Sequence, residues 1–213
     1  IEALENREKS LGKDHSGYGR CLNNLGDLYI TIGQYDKALP LLIEALENGE
    51  KSLGKDHSNY GIRLNNLGDL YKTMGQYDKA LPLLIEALEN AENSLGKDHS
   101  GYSRCLNNLG LLYEDMGQYD KALPLLIEAL ENAENSLGKN HSGYGIRLGN
   151  LGFLYKTMGQ YDKALPMYLE ALENTKNSLG KNHSDYGIRL NNLGLLYQTM
   201  GQYDKALPMY LEA

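Results

Sequence analysis

The chain has 213 residues, of which 41% are hydrophobic and 23% charged, and its net charge is −7. This composition is close to that of ordinary globular domains and excludes disordered and collagen-like classes. An acidic chain without runs of lysine or arginine lacks the basic surface that binds phosphate backbones, so we do not expect nucleic acid as a partner. No apolar run approaches the roughly 20 residues of a membrane-spanning helix, so no membrane partner is expected.

The cellular setting is predicted from the first residues and the cysteines. The sequence begins Ile1-Glu2-Ala3-Leu4, which does not resemble a signal or transit segment. Two cysteines, Cys21 and Cys105, are too few for a disulfide framework. We therefore expect a reduced, cytoplasmic environment.

A repeat of 42 residues dominates the sequence. Its markers are five His-Ser pairs spaced 42 residues apart, at His15, His57, His99, His141 and His183. The string Gly-Gln-Tyr-Asp-Lys-Ala-Leu-Pro recurs with the same period, first at 33–40. Such a period predicts one array over 1–213 rather than separate domains. It would contain the end of a preceding repeat (1–15), four full repeats (16–57, 58–99, 100–141, 142–183) and a partial repeat (184–213).

Each repeat begins with a segment that has the apolar period of an α-helix. In the first repeat Leu22, Leu25 and Leu28 are spaced by three residues and fall on one helical face. We predict that Ser16 caps this helix and that Gly33 ends it in the left-handed conformation. Gly26 and its equivalents lie inside the helix, where glycine costs up to about 1 kcal/mol relative to alanine, so they predict a close approach between helices.

A second helical segment completes the repeat. The second repeat shows its apolar stripe most clearly, at Ala80, Leu84, Ala87, Leu88, Ala91 and Leu95. Gly96 is predicted to end this helix, and Lys97-Asp98-His99 to form the return loop. No segment alternates with period two, so strands are not expected. The pattern predicts an all-α solenoid of antiparallel helix pairs, each burying its stripe against its neighbours.

The repeat resembles the tetratricopeptide repeat. The resemblance rests on residues 22–46, with Leu25, Gly26 and Tyr29 at first-helix signature positions and Gly33, Tyr35, Ala38, Ala45 and Leu46 at turn and second-helix positions. The usual unit has 34 residues, and the longer 42-residue form is similar to the repeats of kinesin light chain. This resemblance implies a right-handed superhelix. The departure at Gly17-Tyr18-Gly19, where the family has bulky aliphatic residues, predicts a softer helix start.

Residues suited to chemistry are not arranged as a catalytic or metal site. Equivalent histidines in stacked units are separated by at least the 8–10 Å between helix axes, which is too far to share a zinc ion. Cys21 and Cys105 lie two units apart and should not form a disulfide. We expect no cofactor and no metal, and we predict that the protein is not an enzyme.

The resemblance implies that the first helices line a concave groove that binds an extended peptide. The candidate groove residues are amides and cations of the first helices: Asn23, Asn65, Asn107, Asn191, Arg20, Arg63, Arg104, Arg147, Arg189, Lys72 and Lys156. Gly149 interrupts the asparagine row. The first-helix segments carry a net charge of +2 against −9 for the remaining residues, which favours an acidic or polar peptide. Alternatively, the asparagines only tie neighbouring helices together.

The ends of the sequence suggest a second function. Residues 1–15 match the last part of a second helix and residues 203–213 match its first part. Exposed, complementary apolar ends would allow head-to-tail stacking into a structural homo-oligomer. The residues predicted to mediate it are Leu4, Ala206, Leu207 and Tyr210.

Overall fold

The computed structural model describes residues 12–213. Over this range the chain forms ten α-helices and no strand, which confirms the all-α solenoid of packed helix pairs. The residues group into two compact units that divide between Lys97 and Asp98. In the first unit the helices are α1 (Ser16–Thr31), α2 (Tyr35–Leu53), α3 (Ser58–Thr73) and α4 (Tyr77–Leu95). In the second unit they are α5 (Ser100–Asp115), α6 (Tyr119–Leu137), α7 (Ser142–Thr157), α8 (Tyr161–Ser178), α9 (Ser184–Thr199) and α10 (Tyr203–Glu212).

Each helix pair is antiparallel, as two contacts between α1 and α2 show. Tyr18, near the start of α1, donates a hydrogen bond of 2.8 Å to Glu44, at the middle of α2. Gly26, further along α1, faces Leu42, which is earlier in α2. The tyrosine–glutamate bond recurs in every pair, as Tyr60–Glu86, Tyr102–Glu128, Tyr144–Glu170 and Tyr186–Glu212. It therefore fixes the register of the two helices within a repeat.

The first helices begin at a histidine cap, not at the predicted serine. His15 has an extended backbone, and its Nδ1 accepts a hydrogen bond of 3.0 Å from the Gly17 amide. The other four histidines do the same for their helices. The prediction of Ser16 as the N-cap was therefore wrong, because Ser16 is already helical. The repeated histidines are structural, and each satisfies one of the amides that a helix start leaves unpaired.

Glycines end the helices as predicted. Gly33 has φ +73°, and the following Gln34 amide donates a hydrogen bond of 2.8 Å back to the Tyr29 carbonyl. This is a left-handed cap after α1, for which glycine has the lowest steric cost. Gly96, with φ +83°, ends α4 directly after Leu95.

The apolar core repeats along each unit in two kinds of layer. Within a pair, the glycine in the middle of the first helix lets the second helix approach closely, as predicted: a Cβ on Gly68 would lie 2.8 Å from Leu84 Cδ2. Between pairs, the second helix covers the next first helix. Ala38 and Leu42 of α2 pack with Leu67 and Leu70 of α3 in one buried cluster. Equivalent clusters join α6 to α7 and α8 to α9. We refer to this contact as the repeat junction.

The close approach at Gly68 predicts a destabilising alanine substitution. Gly68→Ala should lower the free energy of unfolding by about 1–3 kcal/mol, because the added methyl group overlaps the fully buried Leu84. In an open helix the same change would stabilise by up to about 1 kcal/mol. Urea denaturation followed by circular dichroism measures the difference.

The matched control is the same substitution in a Leu84→Ala background. Removing the leucine side chain removes the overlap, so Gly68→Ala should cost less there than in the unchanged protein. An increase in stability for Gly68→Ala alone would show that the glycine is not required for packing.

Candidate interaction surface

The first asparagine row lies mostly inside the protein. Asn23, Asn65 and Asn107 are all buried. The second asparagine of the following repeat bonds to this row: Asn66 Nδ2 donates to Asn23 Oδ1 at 3.2 Å, and Asn150 Nδ2 donates to Asn107 Oδ1 at 2.8 Å. These amides therefore tie neighbouring first helices together, which is the alternative role that the sequence left open.

Two positions of the asparagine pattern are exposed to solvent. Asn191 is exposed on α9, and Asn24 is exposed on α1. Where the row is interrupted, the space beside Gly149 is filled by Arg189, whose guanidinium would meet any Cβ placed there. The interruption is therefore occupied by an arginine from the next repeat. Burial lowers the pKa of this arginine, an effect that the nearby Asp185 partly opposes.

Arg63 is a buried cation at the repeat junction. Only 4% of the residue is exposed. Its guanidinium donates to the Ala45 carbonyl at 2.9 Å, to Asn48 Oδ1 at 3.3 Å and to the Ser16 carbonyl at 3.2 Å. Burial lowers the pKa of Arg63. A Cβ on Gly49 would lie 2.5 Å from this guanidinium, so the glycine provides its space.

Three other predicted cations are also engaged within the protein. Arg147 Nε donates to Ser103 Oγ at 3.3 Å, and burial together with the nearby charge of Arg104 lowers its pKa. Lys72 pairs with Asp69 at 2.9 Å. Lys156 lies 4.7 Å from the centre of the Phe153 ring, which is a cation–π contact. Burial lowers the pKa of this lysine, and Glu114 partly offsets that effect. These side chains stabilise the helix surface locally.

One predicted cation, Arg20, faces an open pocket. The pocket has a volume of about 320 Å³ and lies between the N-terminal halves of α1 and α3. Its lining includes the exposed side chains of Arg20, Asn24 and Asn59, the half-buried Ile62, and the buried Asn23 and Arg63, together with residues 15–17. The first unit thus presents a guanidinium, several amides and an apolar side chain at one place on the first-helix surface.

Sequence reasoning missed a third asparagine set, in the second helices. Asn48 Nδ2 donates to the Lys13 and His15 carbonyls, and Asn90 and Asn174 make the same two bonds in their repeats. The Asn48 amide occupies the space where Gly19 lacks a Cβ. The glycine-rich start of the first helix, which the sequence predicted to be loosely held, is therefore fixed by hydrogen bonds from a buried asparagine amide. The signal available in the sequence was the constant spacing of this asparagine from the glycine.

Within residues 12–213, no three histidine, cysteine or acidic side chains come together as a metal site would require. Both cysteines are free thiols. Burial raises the pKa of the Cys105 thiol to about 11, although the charge of Arg104 partly lowers it. Between residues 12 and 213, no helix combines the length and hydrophobicity that crossing a bilayer requires.

Three of the four residues predicted to mediate stacking lie on the last helix, α10. Ala206 is buried against its own helix pair, whereas Leu207 and Tyr210 are exposed on α10. Leu4 lies outside the described residues.

Comparison with known proteins identifies the family. A family model for the tetratricopeptide repeat matches residues 1–51, 29–93, 63–135, 102–177 and 146–213. The chain belongs to the tetratricopeptide repeat family. Members of this family generally act as non-enzymatic scaffolds for protein interactions. No functionally curated protein matches the chain in sequence.

Three solved structures share the fold at low sequence identity. BtubC (BKLC) from P. vanneervenii is 24% identical with a TM-score of 0.79, over 98% of this chain and 83% of that one. An array of nearly identical TPR-like repeats from Podosopora anserina, assigned to kinesin light chain, is 22% identical with a TM-score of 0.74, over 93% and 94%. A Rap protein complexed with Competence and Sporulation Factor is 18% identical with a TM-score of 0.81, over 98% of this chain but 56% of the Rap chain.

The buried position of Arg63 predicts a large effect on stability. Arg63→Met should lower the free energy of unfolding by at least about 2 kcal/mol, because the buried Ala45 carbonyl on α2 and the partly buried Ser16 carbonyl on α1 lose this donor. Arg20→Met, at the exposed arginine, is the matched control and should change stability by no more than about 0.5 kcal/mol. Equal effects in urea denaturation would contradict the assigned role of Arg63.

The two thiols should differ in reactivity. At pH 8 a thiol with a pKa of about 11 is about 0.1% thiolate, so buried Cys105 should react with an aromatic disulfide reagent at least about 100-fold more slowly than half-buried Cys21. Labelling of Cys21→Ser and Cys105→Ser variants separates the two rates, and both thiols should react fully in guanidinium. Equal rates in the native protein would show that Cys105 is accessible.

Proposed function

We propose that this repeat array is a non-enzymatic scaffold whose first-helix surface binds an extended peptide with acidic or polar side chains. The observation that supports this most directly is the pocket between α1 and α3, with Arg20 at its edge. Its volume of about 320 Å³ is at the lower end of the roughly 300–1,000 Å³ of small-ligand sites. It could therefore hold one or two side chains of a longer ligand.

The chemistry of the pocket favours a carboxylate beside a peptide backbone. An exposed guanidinium can form two parallel hydrogen bonds to one carboxylate. The amides of Asn24 and Asn59 offer donors and acceptors together, which suits the peptide backbone whatever its sequence. The half-buried Ile62 provides an apolar contact in the same pocket.

The predicted groove residues contribute to this function in two ways. In the first unit, Arg20 is the candidate for direct contact with a peptide. In the second unit, the exposed Asn191 and the partly exposed Arg104 are separate candidates. Arg63, Arg147, Lys72 and Lys156 add positive charge to the first-helix segments. The buried asparagines hold neighbouring first helices together and so shape the surface. The Rap protein complexed with Competence and Sporulation Factor supports ligand binding as a use of this fold.

Charge reversal at the pocket tests the proposal. Binding of fluorescent extended peptides, half rich in Asp and Glu and half rich in Lys, is measured by anisotropy. The acidic set should bind more tightly, and Arg20→Glu should weaken that binding about tenfold or more, because an attractive charge becomes repulsive. Arg20 is exposed, so the variant should fold normally.

The matched control is Lys51→Glu, which makes the same charge change at an exposed site near the end of α2. This variant should keep the affinity of the unchanged protein. If neither peptide set binds, or if both variants weaken binding equally, the pocket is not the recognition site.

A further inference from the structure

Two exposed apolar side chains lie on one face of α7. Ile146 is 37% exposed and Phe153 is 44% exposed. They are seven residues apart, which is about two helical turns, so they share a face and lie roughly 10 Å apart along the helix. Helices α5 and α6 precede α7 in the second unit, and α9 and α10 follow it. The exposure of these side chains is therefore a property of the first-helix surface inside the unit.

The same two repeat positions are apolar on α9. Ile188 corresponds to Ile146, and Leu195 corresponds to Phe153. Leu195 is 43% exposed, close to the value for Phe153. We call these four residues the apolar strip. Single exposed apolar side chains are common on protein surfaces, but a group of them on neighbouring helices is typical of an interaction site.

The first unit shows that the fold does not require an apolar side chain at the Phe153 position. The equivalent residue is Asp27 on α1 and Asp69 on α3. Helices α3 and α7 have the same sequence except at three positions, of which this is one. On α3 the aspartate pairs with Lys72 at 2.9 Å, whereas on α7 the equivalent Lys156 lies over the phenyl ring. The apolar side chain is thus a difference in surface chemistry between helices of the same fold.

A polar group accompanies the strip at its middle. Asn150 on α7 donates to Asn107 at 2.8 Å, but Gly149 has no side chain to accept the corresponding bond from Asn192 on α9. The Arg189 guanidinium lies beside Gly149, which shows that α7 and α9 are neighbours here. The half-buried Asn192 amide offers a donor and an acceptor to a peptide backbone.

The charges near the strip favour an uncharged partner. All four strip residues are apolar, whereas the corresponding residues of the first unit include Arg20 and two aspartates. Arg147 of α7 is engaged with Ser103 Oγ at 3.3 Å, and the Lys156 ammonium is 4.7 Å from the centre of the Phe153 ring. A charged partner side chain would lose hydration on the strip without a strip residue of opposite charge. Charge complementarity therefore selects apolar side chains.

We propose that the apolar strip is a second recognition surface, which binds an uncharged, apolar segment of a partner protein. In an extended segment, alternate side chains point to the same face at intervals of roughly 7 Å. Two such side chains match the strip, whose neighbouring helix axes are about 8–10 Å apart. Phe153 and Leu195 determine this specificity. The inference rests on the scaffold role proposed above, but its surface and its ligand chemistry differ from those of the Arg20 pocket.

Peptide binding measured by fluorescence anisotropy tests the proposal. One set of extended peptides has Leu at every second residue and Ser or Asn between, and a matched set has Asp in place of Leu. The unchanged protein should bind the Leu set. Phe153→Asp combined with Leu195→Asp should weaken that binding about tenfold or more, because apolar contact is replaced by charge. The variant should fold, since Asp69 occupies this position on α3 with a lysine three residues later.

The matched control is Leu169→Asp, which makes the same change at a leucine that is 45% exposed on the second helix α8. It should keep the affinity of the unchanged protein for the Leu set. Absence of Leu-set binding would overturn the proposal, and so would equal weakening by Leu169→Asp. A change in sedimentation caused by Phe153→Asp without peptide would also overturn it, because a second copy of the chain would then cover the strip.

Arg20→Glu separates this proposal from the peptide pocket of the first unit. This variant should bind the Leu set as tightly as the unchanged protein does. Loss of Leu-set binding in Arg20→Glu would place the apolar contact at the pocket and overturn the role of the strip. If the Leu set binds through Phe153 while acidic peptides do not bind at all, the strip is supported and only the pocket fails.

Discussion

The repeat junction is the contact on which the rest of the structure depends. A single helix pair buries its inner stripe but leaves a face of the first helix open, and only the second helix of the preceding repeat covers it. The clearest evidence is one leucine position of the repeat, which is fully buried as Leu70, Leu154 and Leu196 but mostly exposed as Leu28 on α1. Contacts between neighbouring repeats therefore contribute much of the stability of the fold.

Polar side chains determine how these apolar layers fit together. The buried amide of Asn48 holds the loop before α1, and Arg63 of the next repeat bonds to the same amide and to backbone carbonyls of α1 and α2. Glycines at 19 and 49 provide the space for these groups. Because buried donors and acceptors must be paired, these networks allow one register. The same requirement leaves few first-helix cations free to contact a ligand, with Arg20 the main exposed one in the first unit.

The sequence predicted the parts of the fold that follow from period and backbone conformation. The helical spacing of apolar residues predicted the helix pairs. The glycines predicted the helix end at Gly33 and the close approach of two helices at Gly26. The predictions from sequence failed where the role of a residue depends on the residues packed around it. Serine is a common N-cap, but the neighbouring His15 accepts the amide here. Arg63 and Arg20 occupy adjacent positions of the repeat, yet Arg63 is buried and Arg20 is exposed. Only the packing of Arg63 against the preceding repeat explains this difference in burial.

Hydrogen exchange followed by mass spectrometry tests the role of the repeat junction most directly. Helices covered on both sides within their unit, such as α2, α3 and α8, should exchange slowly. The uncovered α10 should exchange fastest, because opening it breaks only the contacts with its own helix pair. Protection of α10 equal to that of α8 would contradict a fold stabilised through its repeat junctions.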